Sequence, residues 1–172
     1  MKRLALIALV ALAACKEEKA AIAPEPVALT EAALSYFCQM NVAEHGGPKG
    51  QIHLQGYPAP IFFAQVRDLV TYLKSPEREA EITAVYVSDM GAAVSWAEPG
   101  TTNWIAADKA VFVVGAGVAG GMGAPEVVPF GDPSAADRFI TRYGGRALQL
   151  DAIPDAEVLG PVDLNQPLQN PA

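Results

Sequence analysis

Two related ββαβ units, together an α+β fold, are what the order of hydrophobic patterns along this 172-residue chain predicts. Each half reads strand, loop, strand, helix, strand. A composition of 51% hydrophobic against 18% charged residues also excludes disorder for the bulk of the chain. In the first half, residues 34–37 and 51–54 are short apolar runs. Phe62, Val66, Leu69, Val70 and Leu73 then recur at helical spacing, and Lys74-Ser75-Pro76 stops that helix. Residues 82–87 close the unit with alternating β-branched side chains. In the second half, residues 110–114 and 127–130 read as strands, and Asp132-Pro133 reads as an N-cap followed by proline at the first helical position. Ala136, Phe139, Ile140 and Tyr143 form the apolar stripe, Gly144-Gly145 ends it, and residues 147–150 are the last strand.

The ends of the chain are different in kind. Lys2-Arg3, the apolar run 4–12 and Leu12-Ala13-Ala14-Cys15 form a lipoprotein signal, with cleavage after residue 14 and a lipid on Cys15. The apolar run is about half the length that a spanning helix needs, so the anchor is the lipid. Lys16 rather than an acidic residue follows the cysteine, which favours the outer membrane facing a periplasm. Residues 15–30 read as a lipidated tether, 31–109 as the first unit with its connector, 110–150 as the second unit, and 151–172 as an extended tail with four prolines. Loss of Lys2 and Arg3 with the leader takes the formal charge from −7 to −9. Nucleic acid is excluded as a partner by that acidity.

Sulfur carries the chemistry. With Cys15 lipidated, Cys38 is the one thiol left, and no intramolecular disulfide can form in an oxidising compartment. Cys38-Gln39-Met40 places a thioether two residues after it, while Met90 and Met122 sit in the turn-like Ser88-Asp89-Met90-Gly91 and Gly120-Gly121-Met122-Gly123. Methionines kept for packing belong on helix or strand faces, and all three are expected in loops instead. Thiolate with thioether is a soft donor set that selects Cu(I), whereas zinc makes little use of thioether. His45, in Glu44-His45-Gly46-Gly47-Pro48, offers a neutral imidazole close by in sequence. The candidate metal residues are therefore Cys38, Met40, His45 and Met122, with His45, Met90 and Met122 as alternatives for the third ligand. His53 alternates with Ile52 and Leu54 and is expected to face solvent.

Other chemistries find no support. Gly115-Ala116-Gly117-Val118-Ala119-Gly120 fits G-x-G-x-x-G, but Gly121, Gly123 and Pro125 follow where a dinucleotide site opens a helix. These glycines are expected to form a loop that presents Met122. Motifs of serine hydrolases and zincins are missing, and the chain is not expected to be an enzyme. The competing account is a lipoprotein that docks on a membrane or enzyme assembly without metal, with Cys38 buried and inert.

The chain resembles the NosL family, lipoprotein accessory factors of nitrous oxide reductase. The likeness rests on the Leu12-Ala13-Ala14-Cys15 lipobox, Cys38-Gln39-Met40, Gly47-Pro48-Lys49-Gly50-Gln51, Val87-Ser88-Asp89-Met90-Gly91, Val113-Val114-Gly115, Gly121-Met122-Gly123-Ala124 and Gly144-Gly145, in the family's order. It implies two related ββαβ units, Cu(I) bound through the Cys-x-Met segment, and copper delivery to nitrous oxide reductase with its maturation machinery as partner. Many relatives have Cys-Gly-Met; Gln39 stands in place of that glycine here.

Overall fold

The structure, a computed structural model, describes residues 23–163 and 165–171. The leader, Cys15 and the start of the tether lie outside the described residues. Two antiparallel sheets carry the α+β fold. The first contains β1 (Gly50–Leu54), β2 (Ile61–Phe63), β3 (Ile82–Ser88) and β4 (Trp104–Ala106), with α1 (Val66–Lys74) between β2 and β3. The second contains β5 (Val111–Val114), β6 (Val128–Phe130) and β7 (Arg146–Leu148), with α2 (Pro133–Tyr143) between β6 and β7. Strand orders β2-β1-β3-β4 and β6-β5-β7 place the first strand of each unit centrally, flanked by its second and third. Both units therefore share one ββαβ topology, and β4 extends the first sheet.

β1 is buried along its whole length, and the alternation survives inside that burial. Ile52 and Leu54 pack with Phe63, Val66, Leu69 and Val70 beneath α1, in a core that continues into Phe112, Val114 and Val127 of the second unit. Gln51 and His53 take the opposite face, where the chain before Ala33 covers them. Gln51 Nε2 donates to Val27 O at 2.9 Å, its Oε1 accepts from Val27 N at 2.9 Å, and Tyr86 donates to Pro24 O at 2.7 Å. Residues 23–30 are thus docked backbone rather than free tether, because a sheet face left bare would expose buried polar groups to no partner. His53, expected at the solvent, is 8% exposed, bonds Gln51 Oε1 at 3.1 Å and meets Tyr86 edge-on.

Three further expectations are corrected. Residues 34–37 form no strand: Leu34 bridges Asn41, Ser35 bridges Phe62, and the chain turns back at Tyr36, Phe37 and Cys38. Phe62 fits the helical stripe, but it pairs with Gln51 in β2, as Phe63 does with Gly50, so α1 begins only at Val66. Strand pairing overrides helical periodicity there. The end of the chain is not an extended tail. Residues 155–158 form the short helix α3 (Asp155–Val158), Ile153 and Val158 are buried in the main core, and Gln169 pairs with Val118. The apolar side chains spaced between those prolines supply the burial.

α2 follows the sequence closely. Asp132 accepts from Ser134 N at 2.9 Å as N-cap, Pro133 opens the helix, and Gly144 ends it at φ 76°. Trp96 stacks on Phe139 against the second core.

Candidate metal centre

Cys38 occupies the tip of a reversal closed by Ser35 N to Met40 O at 2.9 Å and Gln39 N to Ser35 O at 2.8 Å. The turn needs a left-handed residue, and Gln39 supplies it at φ 57°. Its side-chain amide donates to Tyr36 O at 2.7 Å and adds a second, longer bond to Ser35 O at 3.3 Å. Cys38 is half-buried and Met40 is 43% exposed, so both sulfurs border solvent. The turn is tied down beside them. Tyr36 and Tyr72 both donate to the Glu79 carboxylate, the latter at 2.6 Å. The two hydroxyls hold that carboxyl below its ordinary range, and the hydrogen bond to Glu79 raises Tyr36.

Five residues after Met40, His45 terminates the 3-10 turn Val42–Glu44. Its ring reaches the second unit: Nδ1 lies 3.1 Å from Gly121 O, the carbonyl just before Met122. A carbonyl only accepts, so Nδ1 carries the hydrogen and Nε2 keeps its lone pair. Nε2 is buried and has no hydrogen-bond partner among the described residues. Such an arrangement is how metal-ligating histidines are oriented, by a hydrogen bond from the other ring nitrogen.

The loop that carries Met122 is laid against the first unit by backbone contacts. Met122 N donates to Gln65 Oε1 at 3.2 Å, and Gln65 Nε2 donates to Asp68 Oδ1 at 3.0 Å. A Cβ on Gly121 would stand 2.7 Å from His45 Cβ, 3.0 Å from Gly46 O and 3.2 Å from Ala64 O, so only glycine allows this approach. Ala64 also touches the segment before Cys38, since its N–H donates to Ser35 Oγ at 3.2 Å. Met122 remains 39% exposed. As the sequence suggested, no helix opens at the glycines 115–120; Ala119 bridges Pro125 in a tight reversal instead.

Met90 is different. Its half-buried side chain packs against the second core and its N–H donates to Pro129 O at 3.0 Å. Among the described residues no three His, Cys, Asp or Glu side chains converge.

Two buried ionisable groups escaped the sequence reading. Lys49 is 1% exposed, and its Nζ donates to Gly46 O at 3.0 Å and Ala64 O at 3.1 Å. Glu126, 2% exposed, accepts from Arg67 N at 2.8 Å and Val127 N at 2.9 Å, so the second unit caps α1 of the first. Gln65, at the N-cap position, makes no such bond itself. Burial lowers Lys49 to about 8 and raises Glu126 to about 8. Their sequence signals were faint: a lysine between proline and glycine, and an acidic residue abutting the apolar Val127-Val128.

The NosL family profile matches residues 26–158. The chain belongs to the NosL family. The copper-binding lipoprotein NosL of Achromobacter cycloclastes is 52% identical over 158 residues, covering 91% of this chain and 81% of that protein. Its namesake from Stutzerimonas stutzeri is 31% identical over 133 residues, covering 77% and 67%. In three dimensions, the crystal structure of the copper chaperone NosL from Shewanella denitrificans superposes with a TM-score of 0.72 at 32% identity, over 77% of this chain and 97% of that one. The solution structure of apo-NosL from Achromobacter cycloclastes gives a TM-score of 0.50 at 51% identity, over 71% and 95%. The NosL fold is therefore that of two related units, and the residues described above lie within the matched region.

Proposed function

We propose that this chain is a lipid-anchored carrier of Cu(I), held at the periplasmic side of the outer membrane through Cys15, that delivers copper for assembly of the copper centres of nitrous oxide reductase. Cys38 thiolate, the Met40 and Met122 thioethers and His45 Nε2 are the ligands. The observation that carries the reading is the His45 imidazole, whose tautomer is set by Gly121 O and whose free lone pair is buried beside the Met122 loop without a partner among the described residues. Relatives that bear the names copper-binding lipoprotein and copper chaperone support the cargo.

Partial exposure of the sulfurs suits a carrier. Thiolate, imidazole and two weakly held thioethers bind Cu(I) while leaving thioether positions that an incoming ligand from the recipient can take over, whereas a closed four-thiolate site keeps its metal. Transfer is then ligand exchange without redox change. Cu(I) displaces the thiol proton on binding, so affinity falls as pH falls.

Anaerobic titration of residues 16–172 with Cu(I) against a chromophoric chelator tests the reading. One equivalent is expected per chain. Tight binding disappears in Cys38→Ser, weakens about tenfold or more in His45→Ala and Met122→Leu, and stays unchanged in His53→Ala. A serine variant that still competes with the chelator refutes the assignment.

A further inference from the structure

The ligand set leaves the Gly47-Pro48-Lys49-Gly50-Gln51 stretch unexplained, and Lys49 is its unusual member. Lysine is almost never fully buried without a counter-charge. Here it sits at 1% exposure, with its backbone N donating to Ser88 Oγ at 3.0 Å and its ammonium to two carbonyls. Those two carbonyls, Gly46 O and Ala64 O, are the ones that a Cβ on Gly121 would touch at 3.0 and 3.2 Å. The ammonium and the Met122 loop therefore share a wall one carbonyl thick, beside His45. Glu126 is the acidic group facing Lys49 from the second unit, and the two form no ion pair among the described residues. Burial keeps Glu126 largely protonated near neutral pH, while Lys49 keeps its proton.

We infer that Lys49 is a specificity-determining residue: its fixed positive charge behind the His45–Gly121 contact makes the site favour a monovalent over a divalent ion. The inference rests on the copper reading above and fills a gap in it. Cysteine with histidine is also a donor pair for zinc, so the donors alone do not exclude Zn(II). A buried cation repels every unit of charge the metal brings, and a dication brings one more than Cu(I). In general, one unit charge roughly 10 Å from another at an effective dielectric of ~20 changes an affinity by about tenfold or more.

Cu(I) and Zn(II) affinities, each measured anaerobically by chelator competition on residues 16–172, test it. In Lys49→Met and Lys49→Gln the Zn(II)-to-Cu(I) affinity ratio is expected to rise about tenfold, and in Lys49→Arg to stay at the wild-type value. Gln keeps an amide donor for the Gly46 or Ala64 carbonyl, so it carries the test if the Met variant does not fold. A lysine with a merely structural role moves both affinities together, and an unchanged ratio in a folded neutral variant overturns the inference. Wild-type Cu(I) affinity that is indifferent to His45→Ala and Met122→Leu overturns the copper reading instead, and the role of Lys49 with it.

Discussion

Gln39 is the one described non-glycine residue with positive φ, and it separates the two sulfurs of the Cys38 turn. A left-handed conformation costs an L-residue about 1–2 kcal/mol, which Gln39 offsets with amide bonds to Tyr36 O and Ser35 O. Glycine removes the strain and loses the bonds; valine keeps the strain, adds a branched Cβ and has no donor. Gln39→Gly is therefore expected to stay within about 1 kcal/mol of the wild type, while Gln39→Val loses about 2 kcal/mol and weakens Cu(I) binding. Denaturant midpoints of the two variants decide it, and equal midpoints would falsify the account of this turn. At this scale the sequence was informative about donor chemistry, since thiol, thioether and imidazole are visible in one dimension. It was silent on which carbonyl fixes the His45 tautomer, because Gly121 is distant in sequence. It placed Met90 in a turn, where the structure has it, but could not show that its side chain leans on the second core.

Among elements, the loop bearing Met122 shows how backbone proximity governs the site. Alanine at Gly121 meets His45 Cβ and two backbone carbonyls, none of which can swing aside as a side-chain tip can. The loop must lift, separating Gly121 O from His45 Nδ1. Gly121→Ala is expected to lower Cu(I) affinity about tenfold or more and stability by about 1–3 kcal/mol. Gly123→Ala is the matched control. Nothing lies within 4 Å of its added methyl, but φ +80° strains it, so about 1 kcal/mol is lost with Cu(I) affinity within about twofold. Parallel losses of affinity in the two variants would show that the loop acts only through general stability. Elements with local instructions were legible: α2 has its cap, proline and terminal glycine in sequence, and β3 its alternation. Elements defined by distant partners were not. β2 is a strand only because Phe62 and Phe63 meet Gln51 and Gly50, and α1 takes its capping carboxylate from Glu126, 59 residues from Arg67.

The two units meet through a joint that contains both an apolar core and a buried Lys49–Glu126 couple, and its pH response belongs to the whole molecule. Glu126 rises from an ordinary 4.5 to about 8 because burial penalises the carboxylate more than two backbone N–H groups and Lys49 favour it. The folded state then binds the Glu126 proton where the unfolded chain has lost it. That contribution to stability is complete below about pH 4.5 and is lost progressively as pH rises to about 8. Lys49 has the opposite effect on the alkaline side. Its value falls from 10.5 to about 8, so the unfolded chain holds more protons in that interval and stability recovers as pH rises through it. Wild-type stability is accordingly expected to dip near pH 8. Glu126→Gln keeps an acceptor for Arg67 N and Val127 N, preserves the cap on α1, and has no proton to lose. Its stability between pH 5 and 8 should stay flatter than that of the wild type, with the two curves converging at the acid end. Urea denaturation of both proteins across that range reads the difference directly. Parallel curves would mean that the carboxylate is ionised in the fold and paired with Lys49, leaving the joint electrically neutral. The positive charge assigned to the back of the copper site would then vanish with it.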